Sequence, residues 1–301
     1  MARRDSATGF GQFAETLSLV SHGQPGHIVD TLIAERGTRI VRHPLWPAMR
    51  PFLYTILNYR RAIQFADAVA NMPGFQALEL LSKTLALDIT VDKPERIPEK
   101  GGFLLVSNHP TGIADGVAVF DLLKERRPDM MIFANRDAVR VNPRFVEMII
   151  PVEWREEYKS KLKTRETLQI TNRAIAEGKA AVLFPSGRIA YWADGRLNER
   201  PWKTSAVTLA RKYELPVLPV HMKARNSGLF YWLARWSTEL RDMTVFHELL
   251  NKRGGRFEFT VGKLIQPEEL GGDPVEATRA LEAHAVHALA ADPDAAFSRK
   301  A

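Results

Sequence analysis

The stretch SNHPTGIADG, residues 107–116, brings a histidine and an aspartate close together in the sequence. His109 follows the short apolar run FLLVS, and Asp115 comes six positions later, where apolar residues take on helical spacing. Pro110 and Gly112 predict a tight turn, so the chain can fold back and place the carboxylate beside one imidazole nitrogen. That contact fixes the tautomer and leaves the other nitrogen as a base. A base that takes a proton from a hydroxyl nucleophile is typically worth ~10²–10⁴ in rate.

Alternating strands and helices surround this stretch. The predicted strands are FLLVS, DMMIFAN, EMIIPVEW, AAVLFP, LPVLPVH and, later, RFEFTVGKLI; the predicted helices are ADGVAVFDLLKERR, SKLKTRETLQITNRAIAEGK, TSAVTLARKY and residues 274–291. This order predicts an α/β fold with a mostly parallel central sheet flanked by helices. Asn108 and His109 then stand at the carboxyl end of a strand, where open α/β sheets bind ligands. The position favours catalysis over an ordinary strand-to-helix turn that contains a histidine.

The first 90 residues have a different character. Residues 1–40 are polar and interrupted by glycine and proline, and the next 45 are mostly helical in pattern, split at Pro73-Gly74. The charged segment DKPERIPEKG follows as a connector. We therefore predict two parts: residues 1–90, an irregular and helical N-terminal segment and a candidate for membrane docking, and residues 91–301, the α/β domain.

Composition narrows the classes of function. The 301 residues include no cysteine, which excludes disulfides, thiol nucleophiles and cysteine-based metal sites. The net charge of +7 suits anionic partners such as nucleic acid, anionic membrane or an acidic carrier protein. The start of the chain shows no signal-peptide pattern, and no run of 18 apolar residues occurs, so we expect any membrane contact to be peripheral.

NHPTGIAD resembles the histidine–aspartate signature of the glycerol-phosphate and lysophospholipid acyltransferases. Five residues separate His109 from Asp115 instead of the usual four, a variant that resembles the hemolysin-like branch, which includes ornithine-lipid acyltransferases. LFPSGRIA (183–190) and LPVLPVHM (215–222) follow in the family's order, and ARNSGLFYWLARWSTELRDMTVFHELLNKRG also resembles that branch. The resemblance extends over about residues 80–265.

The resemblance implies O-acyl transfer. His109 would deprotonate an acceptor hydroxyl, which attacks the thioester of an acyl-carrier-protein or coenzyme A donor, and Asp115 would orient the imidazole. The acceptor would be a glycerol-phosphate or lyso-lipid hydroxyl, in phospholipid or ornithine-lipid synthesis. No acyl-enzyme is needed, so the absence of cysteine agrees with this chemistry, and we expect no cofactor.

The block FPSGRIA is the first candidate for acceptor binding. The family usually has glutamate at the position of Ser186, and its arginine usually comes one position after Arg188. Pro185 and Gly187 still predict a strand-ending loop whose amides can face a phosphate, with Arg188 as a bidentate partner. The alternative is a plain turn with a solvated arginine.

Two further cations are candidates for the substrate site. In ANRDAVRVNPRF, Arg136 lies nearest the carboxyl end of its strand, while a solvated basic face explains the same arginines. Lys203 precedes the helix TSAVTLARK and can meet an anion together with the free amides of that helix. Capping of the helix by Thr204 explains the same segment.

The remaining histidines show no metal-ligand spacing, so we expect no metal. The segments LWPAMRPFLYTILNYRR and GLFYWLARW combine aromatic residues with arginines, which predicts peripheral contact with the cytoplasmic face of the inner membrane. Helices packed on the domain are the alternative.

Three other classes of protein are alternatives to an acyltransferase. A nucleic-acid-binding protein is disfavoured because the basic residues are dispersed and no recognition motif organises them. An esterase or lipase is disfavoured because FPSGRIA lacks the Gly-x-Ser-x-Gly elbow and the histidine precedes the serine. A catalytically inactive lipid-binding protein stays open because of the departure at Ser186.

Overall fold

The computed structural model describes residues 26–153, 155 and 158–299, which form two compact units. One unit contains the described residues up to Asn71 together with Ser227–Asn251, and the other contains Met72–Asn226 and the chain from Lys252 onward. This division differs from the boundary predicted at residue 90, because residues 72–90 lie in the second unit. The irregular segment was predicted for residues 1–40; its residues 1–25 lie outside the described residues, and the prediction was wrong for Ile28–Arg36, which form a helix.

The first unit is helical. Its helices are Ile28–Arg36, Thr38–Val41, Trp46–Ile56, Tyr59–Val69, Gly228–Trp236, Thr238–Met243 and Val245–Leu250. Asp30 joins its own helix, Ile28–Arg36, to two others, because its carboxylate accepts hydrogen bonds from the Tyr54 hydroxyl at 2.7 Å and from the Tyr59 hydroxyl. Burial and these contacts with Asp30 raise the pKa of Tyr54 far above its ordinary value. Glu239 connects the segment Ser227–Asn251 to the N-terminal helices, since its Oε2 accepts a hydrogen bond from the Arg39 main-chain nitrogen at 3.0 Å.

The second unit is built on a seven-stranded sheet and a two-stranded hairpin. The strands are β1 (Asp88–Asp92), β2 (Phe103–Ser107), β3 (Met131–Asn135), β4 (Ile149–Val152), β5 (Ala180–Leu183), β6 (Tyr191–Ala193), β7 (Arg196–Asn198), β8 (Val217–Lys223) and β9 (Arg256–Val261). The sheet order is β1-β9-β8-β2-β5-β3-β4, and all neighbours are parallel except β8 and β9. The predicted α/β class with a mostly parallel sheet is confirmed.

Helices cover this sheet. They are Gly74–Leu85, Ile113–Leu123, Asp137–Val141, Lys161–Ala176, Ser205–Lys212, Pro274–Ala283 and Leu289–Ala291, with 3-10 turns at Pro94–Arg96, Pro143–Glu147 and Pro267–Leu270 and a π-helical turn at His284–Ala288. Every residue of β2 and β5 is buried, as expected for central parallel strands that are covered on both faces. The helix predicted for SKLKTRETLQITNRAIAEGK ends at Ala176, and Gly178, with a φ of +68°, follows this end.

Two elements of the β structure were not predicted from the sequence. β1 pairs in parallel with β9, from Asp88 opposite Arg256 to Asp92 opposite Thr260. The β6–β7 hairpin turns at Asp194 and Gly195, whose φ values are +52° and +72°. Asp-Gly is a strong hairpin signal, so this element was readable from the chain.

Candidate active site

Asn108 directly follows β2, and its side chain is hydrogen-bonded to the neighbouring strand β8. Its Nδ2 donates to the main-chain oxygen of Met222 at 2.7 Å, and its Oδ1 accepts from the Met222 nitrogen at 2.8 Å. The side chain was predicted to bind substrate. In the structure its buried amide is engaged by main-chain groups and fixes the point at which His109 enters the site.

His109 and Asp115 meet as the spacing predicted. His109 Nδ1 lies 2.9 Å from Asp115 Oδ2; the imidazole is 18% exposed and the carboxylate is fully buried. The Nδ1–H direction is not aligned for a hydrogen bond with any described group, as is common for catalytic pairs without substrate. Since Nδ1 faces the carboxylate, Nε2 is the nitrogen that remains for a substrate hydroxyl.

Asp115 is held rigidly in the first turn of the helix Ile113–Leu123. Its Oδ2 accepts from the main-chain nitrogens of Thr111 at 2.9 Å and Gly112 at 3.0 Å, and its Oδ1 accepts from the Thr111 hydroxyl. These donors and the positive end of the helix dipole suit a carboxylate. The position of Asp115 is therefore set independently of the imidazole.

Gly112 makes the turn between the two side chains possible. Its φ of +97° is a conformation that residues with a side chain rarely adopt. A Cβ atom at this position would also lie 2.7 Å from Cδ1 of Ile189. The glycine therefore lets the loop after β2 pack closely against the loop after β5.

The loop after β5 forms one wall of the site. The Phe184 ring stacks on the His109 ring, with centroids 4.5 Å apart and planes at 24°. The Ala190 nitrogen donates to the His109 main-chain oxygen at 2.9 Å. Phe184 was not singled out from the sequence, although its place at the start of FPSG was the available signal. These contacts limit how the imidazole can rotate.

Three of the predicted acceptor-side residues lie in this loop, and Lys203 joins them. Ser186 is buried, and its hydroxyl donates to the Arg188 main-chain oxygen at 2.9 Å. Arg188 itself is an exposed residue. Gly187 has a φ of +61°, and a Cβ there would lie 3.7 Å from Lys203 Nζ. The main-chain nitrogen of Lys203 donates to the main-chain oxygen of Pro185 at 3.1 Å. Their role in substrate binding stays a prediction.

Arg136 follows β3, as predicted, and pairs with a helix. Its Nη1 lies 2.8 Å from Glu166 Oε2 in the helix Lys161–Ala176. Its Nε and Nη2 are buried and make no hydrogen bond with the described residues. No contact in the described part of the chain joins Arg136 to His109, so its place in a substrate site stays a prediction.

Glu199 is the member of the site that the sequence analysis missed. It follows β7, and its Oε2 accepts from the His109 main-chain nitrogen at 3.1 Å, across 90 positions of sequence. Its Oε1 is buried and makes no hydrogen bond within the described structure. Burial raises the pKa of this carboxyl, while Ser186 and His109 act to lower it and Asp115 to raise it.

Within residues 26–153, 155 and 158–299, no group of three or more histidine, aspartate or glutamate side chains is placed to hold a metal ion. The chemistry that the site can perform rests on a base, an orienting carboxylate and a rigid loop at the carboxyl ends of β2, β5 and β8.

The family model described as Acyltransferase matches residues 88–223. The match runs from β1 to the end of β8 and includes His109, Asp115 and the loop after β5. These residues form an acyltransferase domain. The superfamily that the His–Asp signature predicted is confirmed.

Two curated relatives of the acyltransferase are named lyso-glycine lipid O-acyltransferase. The protein from Phocaeicola vulgatus is 26% identical over 71% of this chain and 77% of its own length. The protein from Bacteroides thetaiotaomicron is 24% identical over 71% of this chain and 79% of its own length. Among solved structures, the 1-acyl-sn-glycerophosphate (LPA) acyltransferase PlsC from Thermotoga maritima is 15% identical, covers 94% of this chain and 93% of its own, and gives a TM-score of 0.46.

The acyltransferase geometry does not support a serine hydrolase. The Ser186 hydroxyl, which an esterase would use as nucleophile, donates to the Arg188 main chain within its own loop. The His109 ring instead stacks on Phe184, with Nδ1 2.9 Å from Asp115 Oδ2.

Proposed function

We propose that this acyltransferase moves a fatty acyl group from an acyl-carrier-protein or coenzyme A thioester to the hydroxyl of a lyso-lipid. The observation that carries the proposal is the 2.9 Å contact between His109 Nδ1 and a fully buried Asp115. It leaves Nε2 as a base at the carboxyl edge of the sheet, where a hydroxyl-bearing acceptor can approach.

The reaction needs one proton transfer in each direction. His109 Nε2 takes the proton of the acceptor hydroxyl while the oxygen attacks the thioester carbonyl. The tetrahedral intermediate collapses, the carbon–sulfur bond breaks, and the imidazolium returns the proton to the leaving thiolate. Asp115 stabilises the imidazolium between these steps, since its negative charge lies beside Nδ1.

The acceptor side is proposed to lie along the loop after β5. This loop contains Gly187 and the cation Arg188. A second cation, Lys203, lies in the segment that is hydrogen-bonded to the loop, and its Nζ lies close to Gly187. An anionic head group suits this chemistry. Lysophosphatidate, lyso-ornithine lipid and the lyso-glycine lipid of the two relatives' names are the acceptors to compare.

We also propose peripheral contact with the cytoplasmic face of the inner membrane, through the helical unit. Phe52 is 72% exposed, Trp232 56% and Trp236 76%. Large exposed aromatic side chains near arginines favour the interface of an anionic bilayer. No helix in the described ranges is long and apolar enough to span a bilayer.

The test is a transfer assay with labelled acyl-carrier-protein or acyl-CoA and a panel of these lyso-lipids. His109→Ala should lower the rate by about 10²–10⁴-fold, the usual contribution of general base catalysis. His287→Ala is the matched control, because His287 is exposed and lies in the C-terminal π-helical turn. Equal rates for wild type and His109→Ala would contradict the assignment of the base.

The same assay separates the alternatives. Release of free fatty acid without lipid product, dependent on Ser186, would indicate a hydrolase. Vesicle binding with no turnover of any donor would indicate a lipid-binding protein without catalysis. Faster transfer from the carrier protein at low salt would favour that donor, since this chain has a net charge of +7.

A further inference from the structure

Glu199 lies against the catalytic histidine although neither the signature nor its neighbourhood in sequence points to it. The chain reaches this place through the β6–β7 hairpin, which ends at Asn198. Glu199 Oε2 then binds the main-chain N–H of His109 at 3.1 Å. On its other side, the His109 carbonyl receives the Ala190 N–H at 2.9 Å. Both main-chain groups of His109 are thus engaged by the segment 190–199.

The second oxygen of Glu199 is the unusual feature. Oε1 is buried and accepts no well-aligned hydrogen bond within the described residues; the neighbouring Ser186 hydroxyl, which lowers the pKa of this carboxyl, donates to the Arg188 main chain. A buried carboxylate oxygen without a donor is costly unless a positive charge compensates it. The groups that act on the charge of Glu199 are Ser186, His109 and Asp115, and the cations Arg188 and Lys203 lie on the adjoining loop and segment. Of the first three, only His109 can become positive.

We propose that Glu199 is a positioning residue, which holds the His109 main chain in place and stabilises the imidazolium that forms during acyl transfer. The inference deepens the proposed function and rests on it. Asp115 lies beside Nδ1 of the ring, and Glu199 binds the main-chain N–H of the same residue, so both carboxylates act on the charge that His109 gains at each turnover. The hydrogen bond from the main chain sets the point from which Nε2 reaches the acceptor.

Burial raises the pKa of the Glu199 carboxyl, which adds a dependence on pH. The ionised form is needed to compensate the imidazolium, and this form is lost as the pH falls through the raised pKa. The acid limb of kcat in the wild type should therefore contain a contribution from Glu199 that disappears in a variant without the carboxyl.

Glu199→Gln and Glu199→Ala separate the two parts of this role. Glutamine keeps an acceptor for the His109 N–H but removes the charge, so kcat should fall about tenfold while KM stays within about twofold. Alanine removes both and should lower kcat about 100-fold. Glu282→Gln is the matched control, because Glu282 also accepts from a main-chain nitrogen, that of Trp202 at 3.0 Å, and lies in the helix Pro274–Ala283.

The outcomes that overturn the proposal are specific. A structural role would be shown by two results together. Glu199→Gln would keep the wild-type kcat and acid limb, and the loss of kcat in Glu199→Ala would be no larger than its lowered melting temperature explains. A rise in KM with kcat unchanged would show that Glu199 binds the acceptor instead.

A second readout needs no turnover. The proton NMR signal of His109 Nδ1–H should shift in Asp115→Asn and in both Glu199 variants, while Glu282→Gln leaves it unchanged. If the wild type transfers no acyl group from any donor, the proposed function fails, and this signal alone decides whether Glu199 positions His109. An unchanged signal in both Glu199 variants would refute the positioning role.

Discussion

Replacing Asp115 with asparagine removes one negative charge and little else. Asp115 Oδ2 accepts from the nitrogens of Thr111 and Gly112 and faces His109 Nδ1, while Oδ1 binds the Thr111 hydroxyl. The amide oxygen of asparagine can take the place of Oδ2, and the hydroxyl can rotate to accept from the amide nitrogen. We therefore expect Asp115→Asn to fold and to keep its substrate affinity.

The expected loss is in the chemical step. An opposite charge within ~4–6 Å changes a partner's proton affinity by about 1–3 pKa units, or about 1.4–4 kcal/mol. Asp115 is 0% exposed, so water cannot replace the charge that is removed. If the imidazolium loses this stabilisation in the transition state, kcat should fall by ~10–10³-fold.

Initial rates of acyl transfer at saturating donor and acceptor measure this loss. Asp121→Asn is the control: Asp121 lies on the same helix but binds Lys124 at 2.6 Å, and this variant should keep wild-type kcat. An Asp115→Asn enzyme with kcat within twofold of wild type would refute the reasoning, because a charge 2.9 Å from the ring would then contribute nothing.

Three further predictions concern the stability of the fold. Gly112→Ala should lower both the melting temperature and kcat, since the residue has a φ of +97° and the new methyl would meet Ile189. Gly195→Ala is the control: this glycine lies at an exposed turn, so the variant should lower stability without changing kcat. Asn108→Ala should cost about 1–3 kcal/mol in a urea titration, because both Met222 main-chain groups lose a partner; an unchanged midpoint would contradict this. Burial lowers the pKa of His284, so stability present above pH 6.5 should be lost as the pH falls through the lowered value, and His284→Leu should flatten that decline in melting temperature. A decline equally steep in the variant would show that other groups cause it.

The sequence predicted the local part of the fold and site well. The run FLLVS matches β2 from Phe103 to Ser107, and the fully apolar pattern agrees with a strand that is buried on both faces. The contact between His109 and Asp115 also follows from local features, since a turn of fixed type and the first turn of a helix decide it. Such elements need no knowledge of distant residues.

What the sequence could not supply depends on pairing across long separations. β1 is five residues long with alternating burial, and only its pairing with β9 distinguishes it from a connector. Glu199 reaches His109 because a hairpin and a loop happen to end there, 90 positions away. The residues Ser227–Asn251 belong to a stretch that follows the predicted α/β blocks and resembles the hemolysin-like branch, yet they pack with the N-terminal helices.

The placement of β9 separates the order of synthesis from the order of assembly. β1 pairs with β9 alone, and β9 leaves the ribosome roughly 160 residues after β1 does. At about 5–20 residues per second, β1 waits on the order of 10–30 s for its neighbour, while β2, β5 and β8 can already associate. The unpaired edge of β8 is open during the same interval, and the insertion that completes the helical unit is made between β8 and β9. A nascent chain stalled before residue 256 therefore exposes a sheet edge, which makes that stage of synthesis the one at which chaperone binding or aggregation should be greatest.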